Sequence, residues 1–583
     1  MTKVLRLVLL VVVMLGVLSA TAMAAPPADL NVLAAYYPDE TPVFVSFRID
    51  DAFIGTLDSL FQRINAAVPT ANIPPLVGAL DEVISDSDLF EDGDFQSVVR
   101  SWLGDIASVG ILSFDAAMDD DYSNDDNVPF LFAAQVTDRA AAEAFWDTTL
   151  LNNPNNNEYE RSTESGYTVY VPQESSRAEG VVAVGDDVVF VANLRESLPL
   201  AGMGGLADSE MFTSTLALLP EPDYNLTGYF NVGDLLRNFF VLQEFGSQPN
   251  MDMFPSLFES FPAQAFGATI LDERSLTLDI AQSYGPFMER MSEMGFDVTL
   301  AGPVDLAFAE RIPNGTPLVI HSTGLANSYR QFIQGVNSQL DVMQGDDAEA
   351  ARAEIERGLS QARVAVRAAT GLDLDEQLIP ALEGDYALYL GLNAGLADME
   401  SMMDLMRQLP VEFGIVLEVS DPAVIDGLVS GLVDTIKAIP EEEGVTISIA
   451  EDTIGGNTVQ VVTLVAKDVP FPIELVIGGD GEVFFIGTPA AARASLNPDG
   501  GLLADPQYRE ASAYMVNNPS AVLYMASNGL QPLVNVIEAT GGSSGARDAQ
   551  MFANALSLLS SSSISASYEN GVSLARMVWT LPE

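Results

Sequence analysis

Few residues in this chain are equipped for chemistry, and the scarcest type is histidine, represented once by His321. A serine hydrolase would set that imidazole beside a nucleophilic serine and a carboxylate. No Gly-x-Ser-x-Gly stretch in a strand-turn-helix setting accompanies it. One histidine is also too few for a nitrogen-rich zinc site. The complete lack of cysteine removes thiolate ligands, thiol nucleophiles and disulfides together. His321 therefore reads as an ordinary strand residue.

Carboxylates are the remaining candidates. The run Asp119-Asp120-Asp121-Tyr122-Ser123-Asn124-Asp125-Asp126 is dense in oxygen ligands of the kind a hard cation takes, so Asp119, Asp120, Asp121, Asp125 and Asp126 are weak calcium candidates. Asp86, Asp88, Asp92 and Asp94 make a second cluster. Neither has the ordered ligand positions and closing glutamate of an EF-hand loop, and the plainer reading of both is a solvated acidic loop. Calcium is the one cofactor these residues suggest. Acidic residues are so abundant that a pair suited to glycoside hydrolysis is bound to occur, which makes abundance alone uninformative. The Gly-rich stretches at Gly202–Gly205 and Gly541–Gly545 lack the lysine and the strand-glycine-helix context of a phosphate loop. No catalytic or cofactor-binding residue is assigned.

The elements that would have to position any site occur twice. Pro38-Asp39-Glu40-Thr41-Pro42-Val43-Phe44-Val45 returns as Pro313-Asn314-Gly315-Thr316-Pro317-Leu318-Val319-Ile320, and further matches follow in the same order. Gly104-Asp105-Ile106-Ala107 answers to Gly384-Asp385-Tyr386-Ala387. Thr137-Asp138-Arg139-Ala140 answers to Ser420-Asp421-Pro422-Ala423, with the aspartate placed to cap a helix. The hairpin Val181–Ala192 matches Leu475–Gly487, and Ser46 stands where the second copy has His321. Strand patterns arrive mostly as hairpins and meanders, interrupted by helices with three-and-four apolar spacing such as Ile54–Ile64 and Tyr329–Met343. This predicts an α+β fold: two tandem similar units, each a mainly antiparallel sheet of about seven to nine strands with amphipathic helices packed on it. The expected boundaries are residues 1–24 as a signal peptide, 25–298 as the first unit and 299–583 as the second.

The N-terminus motivates the first of those boundaries. Lys3 and Arg6 precede an apolar run from Leu7 to Leu18 and then Ala22-Met23-Ala24, the three-part pattern of a secretory signal cleaved after Ala24. The run is about 12 residues, short of the roughly 20 that span a bilayer. No later run is long enough, so the expected product is exported, periplasmic or extracellular, and has no transmembrane anchor. Loss of the two basic residues leaves 23 basic against 82 acidic side chains, a net −59. A field of that sign repels phosphate backbones and anionic membrane surfaces, which argues against nucleic acid as a partner.

The opening Tyr37-Pro38-Asp39-Glu40-Thr41-Pro42-Val43-Phe44-Val45, with the export signal, the acidic mature chain, the Leu-x-Gly-Asp-x-Ala element and the strand-Asp-helix joints, resembles an exported bacterial family, domain of unknown function 3352. The resemblance covers most of the mature chain and implies neither an activity nor any functional residue. The function expected is that of a non-catalytic exported protein that binds, scaffolds or associates with the envelope through an extracytoplasmic ligand or partner. The alternatives are a carrier of an apolar ligand held between sheet and helices, and a hydrolase working through Asp or Glu.

Overall fold

The computed structural model describes residues 27–67, 73–86, 90, 93–114, 128–152, 158–173, 180–202, 204–236, 260–271, 274–293, 300–342, 346–393, 409–439, 445–467, 469, 471–540 and 545–582. Two compact units divide the chain. The first runs to Arg290 and takes in Asn570–Leu574; the second comprises Met291–Glu569 and Ala575–Glu583.

In the first unit the strands are β1 (Val43–Arg48), β2 (Leu103–Ile111), β3 (Phe130–Val136), β4 (Tyr159–Glu164), β5 (Tyr167–Pro172), β6 (Val181–Val184), β7 (Val188–Ala192), β8 (Leu226–Phe230), β9 (Gln264–Ile270) and β10 (Ser275–Ser283). They lie in the order β4-β5-β6-β7-β3-β2-β1-β8-β9-β10, every neighbouring pair antiparallel. Side chains alternate between two faces, as the pleat requires. Phe44 and Ser46 point to one face, where Leu33, Tyr37, Phe190, Phe212 and Tyr229 form a core under short helical segments. Val45 and Phe47 point to the other, where the helices Asp51–Ala67 and Leu76–Asp86 bring Phe53, Leu57, Phe61 and Leu76 against the sheet. Both faces of this sheet carry a core.

The second unit contains β11 (Leu318–Thr323), β12 (Asp385–Leu392), β13 (Val411–Glu418), β14 (Val445–Ile454), β15 (Asn457–Ala466), β16 (Ile473–Gly479), β17 (Val483–Gly487), β18 (Ala521–Ala526), β19 (Ser561–Glu569) and β20 (Val572–Thr580), the last counted from Ala575 on. Their order is β14-β15-β16-β17-β13-β12-β11-β18-β19-β20, again antiparallel throughout. Number for number, this is the order of the first unit. Among the described residues each unit has ten strands, more than the seven to nine expected. The additions include the exposed, polar hairpin arm β4, whose burial scarcely alternates, and β14, which alternates only over Val445–Ala450.

Local chemistry explains the shared elements. Thr41 and Thr316 each donate a side-chain hydrogen bond of 2.7 Å to the carbonyl of the preceding proline, Pro38 or Pro313, closing the turn that aims β1 or β11. Gly315 supplies φ +75° in the second of these turns, a conformation natural to glycine. Asp138 caps its helix through Ala141 N at 3.1 Å, and Asp421 caps its own through Ala423 N at 2.9 Å.

On one face of the second sheet, Val319, Ala387, Tyr389, Val522 and Phe485 meet Phe308, Leu496, Leu502 and Tyr508. On the other, the helix Pro422–Lys437 and the turn around Leu372–Leu378 cover the β13-β17-β16-β15 region, burying Ile425, Val462, Ile477 and Phe484. Among the described residues that second core does not extend across β12, β11 and β18.

Candidate functional site

His321 points to the covered face, 1% exposed, with its ring stacked on Phe308 at 5.5 Å between centroids. Its Nε2 lies 3.0 Å from Asp385 Oδ2, and that same oxygen accepts from Asp305 N at 2.7 Å. The Asp385 backbone N–H in turn donates to Glu418 Oε2 at 3.0 Å. Because the carboxylate accepts, Nε2 carries the proton, and the buried Nδ1 has no partner among the described residues.

The first unit shows what this position is for. Ser46, in place of His321, donates to Leu30 O at 2.5 Å and so ties the leading helical turn Pro27–Leu30 to the sheet. His321 does the same at one remove: it orients Asp385, which holds Asp305, the cap of the helical turn Leu306–Arg311. Through these bonds the pair anchors the helical turn Leu306–Arg311 to the sheet, and among the described residues no serine hydroxyl is hydrogen-bonded to the ring.

The other buried carboxylates are engaged as well. Asp50 pairs with Arg48 and accepts from Phe53 N; Asp279 accepts from Tyr224 Oη at 2.9 Å; Asp505 caps the helix Pro506–Ser512 through Gln507 N and Tyr508 N. Glu143 sits among Arg139, Arg161 and Thr168. Burial acts against its charged form, but the hydrogen bonds from Arg139 and Thr168 outweigh that and hold it below the usual carboxylate range. For Glu412, burial alone pushes the carboxyl up.

The calcium candidates Asp119, Asp120, Asp121, Asp125 and Asp126 lie outside the described residues, as do Asp88 and Asp92 and the proposed signal segment 1–24. Asp94 is described, and its carboxylate is engaged by Ser97 through both N at 2.7 Å and Oγ at 2.6 Å. Among the described residues no group of acidic or histidine side chains is arranged to hold a metal ion. Nor is any described helix long and apolar enough to cross a membrane.

A different feature stands out on the uncovered face of the second sheet. Ile320 on β11, Leu388 and Leu390 on β12, and Leu523 and Met525 on β18 are all 37–43% exposed. The registers bring them together: Ile320 lies opposite both Leu388 and Leu523, while Leu318 lies opposite both Leu390 and Met525. The half-buried Ile564 on β19 and Ile415 on β13 extend the row to either side. Exposed apolar side chains are ordinary when scattered, but a contiguous set on a rigid sheet is a binding-surface signature. On the corresponding face of the first unit, Val45 and Phe266 pack against the core built on Phe53 and Leu57.

No curated protein and no solved structure matches the chain. The family model described as "Protein of unknown function (DUF3352)" matches residues 4–581, and the chain belongs to that family.

Proposed function

We propose that this chain is an exported, non-catalytic binding protein, made by tandem duplication of one α+β unit, that takes an elongated apolar ligand on the open sheet face of its second unit. The observation that carries this reading is the contiguous set Ile320, Leu388, Leu390, Leu523 and Met525, exposed where the first-unit counterparts Val45, Val109, Ile111 and Phe230 are half-buried and Val45 packs against the core. Identical strand order in the two units supports the duplication, and the Lys3–Ala24 pattern supports export.

Size argues for a small ligand rather than a protein partner. Three strands span roughly 10 Å, and alternate residues along each lie about 7 Å apart. A stable protein interface buries about 800 Å² per partner, several times what such a patch offers. An acyl chain or similarly narrow apolar molecule matches it, and a chain so rich in carboxylates favours a ligand without a strong anionic head.

Native mass spectrometry of protein recovered from its own envelope fraction reads the two halves of the proposal together. The expected species begins at Ala25 and carries an apolar small molecule. Ile320→Gln with Leu523→Gln is expected to weaken binding of an apolar fluorescent probe at least about tenfold, since each buried side chain is worth about 1.5–3 kcal/mol. Unchanged probe affinity in the folded double variant would overturn the ligand site.

A further inference from the structure

The inner side of the same β18 strand presents a second contrast between the units. In the first, Phe212 from the helix Glu210–Leu216 meets Tyr229 of β8 edge-on at 5.3 Å; in the second, Tyr508 from the helix Pro506–Ser512 meets Tyr524 of β18 edge-on at 5.1 Å. The aromatic pair is therefore the same, but its surroundings are not. Tyr229 lies opposite Ala265, which lies opposite Ala281, and both alanines are packed with Ala263 and Phe212 in one apolar core. Tyr524 lies instead opposite Ser563.

Around Tyr524 the second unit is lined with hydroxyls. Ser561 and Ser563 share one face of β19, Thr580 accepts from Ser560 N through its carbonyl, and Gln507 Nε2 donates to Ser560 Oγ at 2.9 Å. Tyr524, Ser561 and Thr580 have no exposure, and Ser563 has 1%. Tyr524 Oη, Ser561 Oγ, Ser563 Oγ, Thr580 Oγ1 and Gln507 Oε1 are all buried without a hydrogen-bond partner among the described residues. Burial first, then the nearby Asp505 charge, push the Tyr524 phenol up, so it remains a donor. A single such orphan is tolerable. Five on neighbouring elements, two of them on Ser561 and Ser563 where the first unit has Ala263 and Ala265, require an occupant that both donates and accepts.

We infer that this cluster is an internal hydration site, in which ordered water molecules bridge the helix Pro506–Ser512 to β18, β19 and β20. The chemistry selects water. Hydroxyls bind donors and acceptors alike, the five unpartnered oxygens carry no charge of their own, and they are sealed from solvent. At about three hydrogen bonds per buried water, the cluster suits about two molecules. Tyr524 alternates with Leu523 and Met525, so this hydrated layer backs the strand whose outer side carries the open apolar face. The inference stands independently of the ligand proposed for that face.

A high-resolution crystal structure and water relaxation dispersion in solution test it together. The expected result is ordered water bonded to at least two of the five oxygens, and a loss of about one long-lived water in the Tyr524→Phe, Ser563→Ala double variant. A dry cluster in the crystal, with the hydroxyls bonded to one another or to backbone carbonyls, would overturn the inference. So would an unchanged count of long-lived waters in a folded variant. If the variant fails to fold, the wild-type crystal structure decides alone.

Discussion

At the scale of single residues, the only imidazole in the chain is a fastener. His321 and Asp385 are 64 positions apart and meet because β11 pairs with β12. Removing the ring in His321→Ala leaves a buried carboxylate short of a donor, which should lower stability by about 1.5–3 kcal/mol. Asp385→Asn keeps an acceptor for both Asp305 N and the imidazole, and should cost about half as much, because only the charge assistance is lost. Urea unfolding of the two variants checks the order; equal losses would show that the charge on Asp385, and not its hydrogen-bond geometry, is what matters. From the sequence, His321 was legible as a strand residue with Ser46 as its counterpart. Its partner was not, since a long-range contact leaves no local spacing to read.

Elements were the most legible level, because their signals are local. The aspartates at 138 and 421 read as helix caps and make those bonds, and the hairpin strands Val181–Val184 and Val188–Ala192 fall where the apolar runs on either side of Gly185-Asp186-Asp187 place them. Asp421→Ala should therefore cost about 1 kcal/mol, read as a lower urea midpoint, while Asp421→Ser should recover most of it. The edge arm β4 was harder, since charged residues that discourage edge-to-edge pairing also erase the period-two signal. The open face was hidden for the opposite reason. Leu318-Val319-Ile320 and Leu388-Tyr389-Leu390 are apolar on both sides of the pleat, and such runs read as strands covered on both faces. Only the path of the neighbouring helices reveals that one side is bare, and those helices are positioned by contacts far along the chain.

For the whole molecule the dominant fact is charge. A formal net charge of −57 on 583 residues puts the folded chain under self-repulsion, which screening relieves. The Debye length falls from about 10 Å at 0.1 M salt to about 3 Å at 1 M, so melting temperature should climb over that range and by similar amounts with sodium or a bulkier monovalent cation. Ion pairs such as Arg311 with Asp480 and Glu482 oppose the trend only weakly, because basic partners are few. Calcium distinguishes general screening from a specific site. If Asp119, Asp120 and Asp121 bind it, millimolar calcium should raise the melting temperature beyond an equal ionic strength of sodium, and replacing all three with asparagine should remove that excess. If the acidity serves only to keep the surface solvated, calcium and sodium should act alike at matched ionic strength, and the asparagine variant should gain slightly in stability at low salt through its smaller net charge.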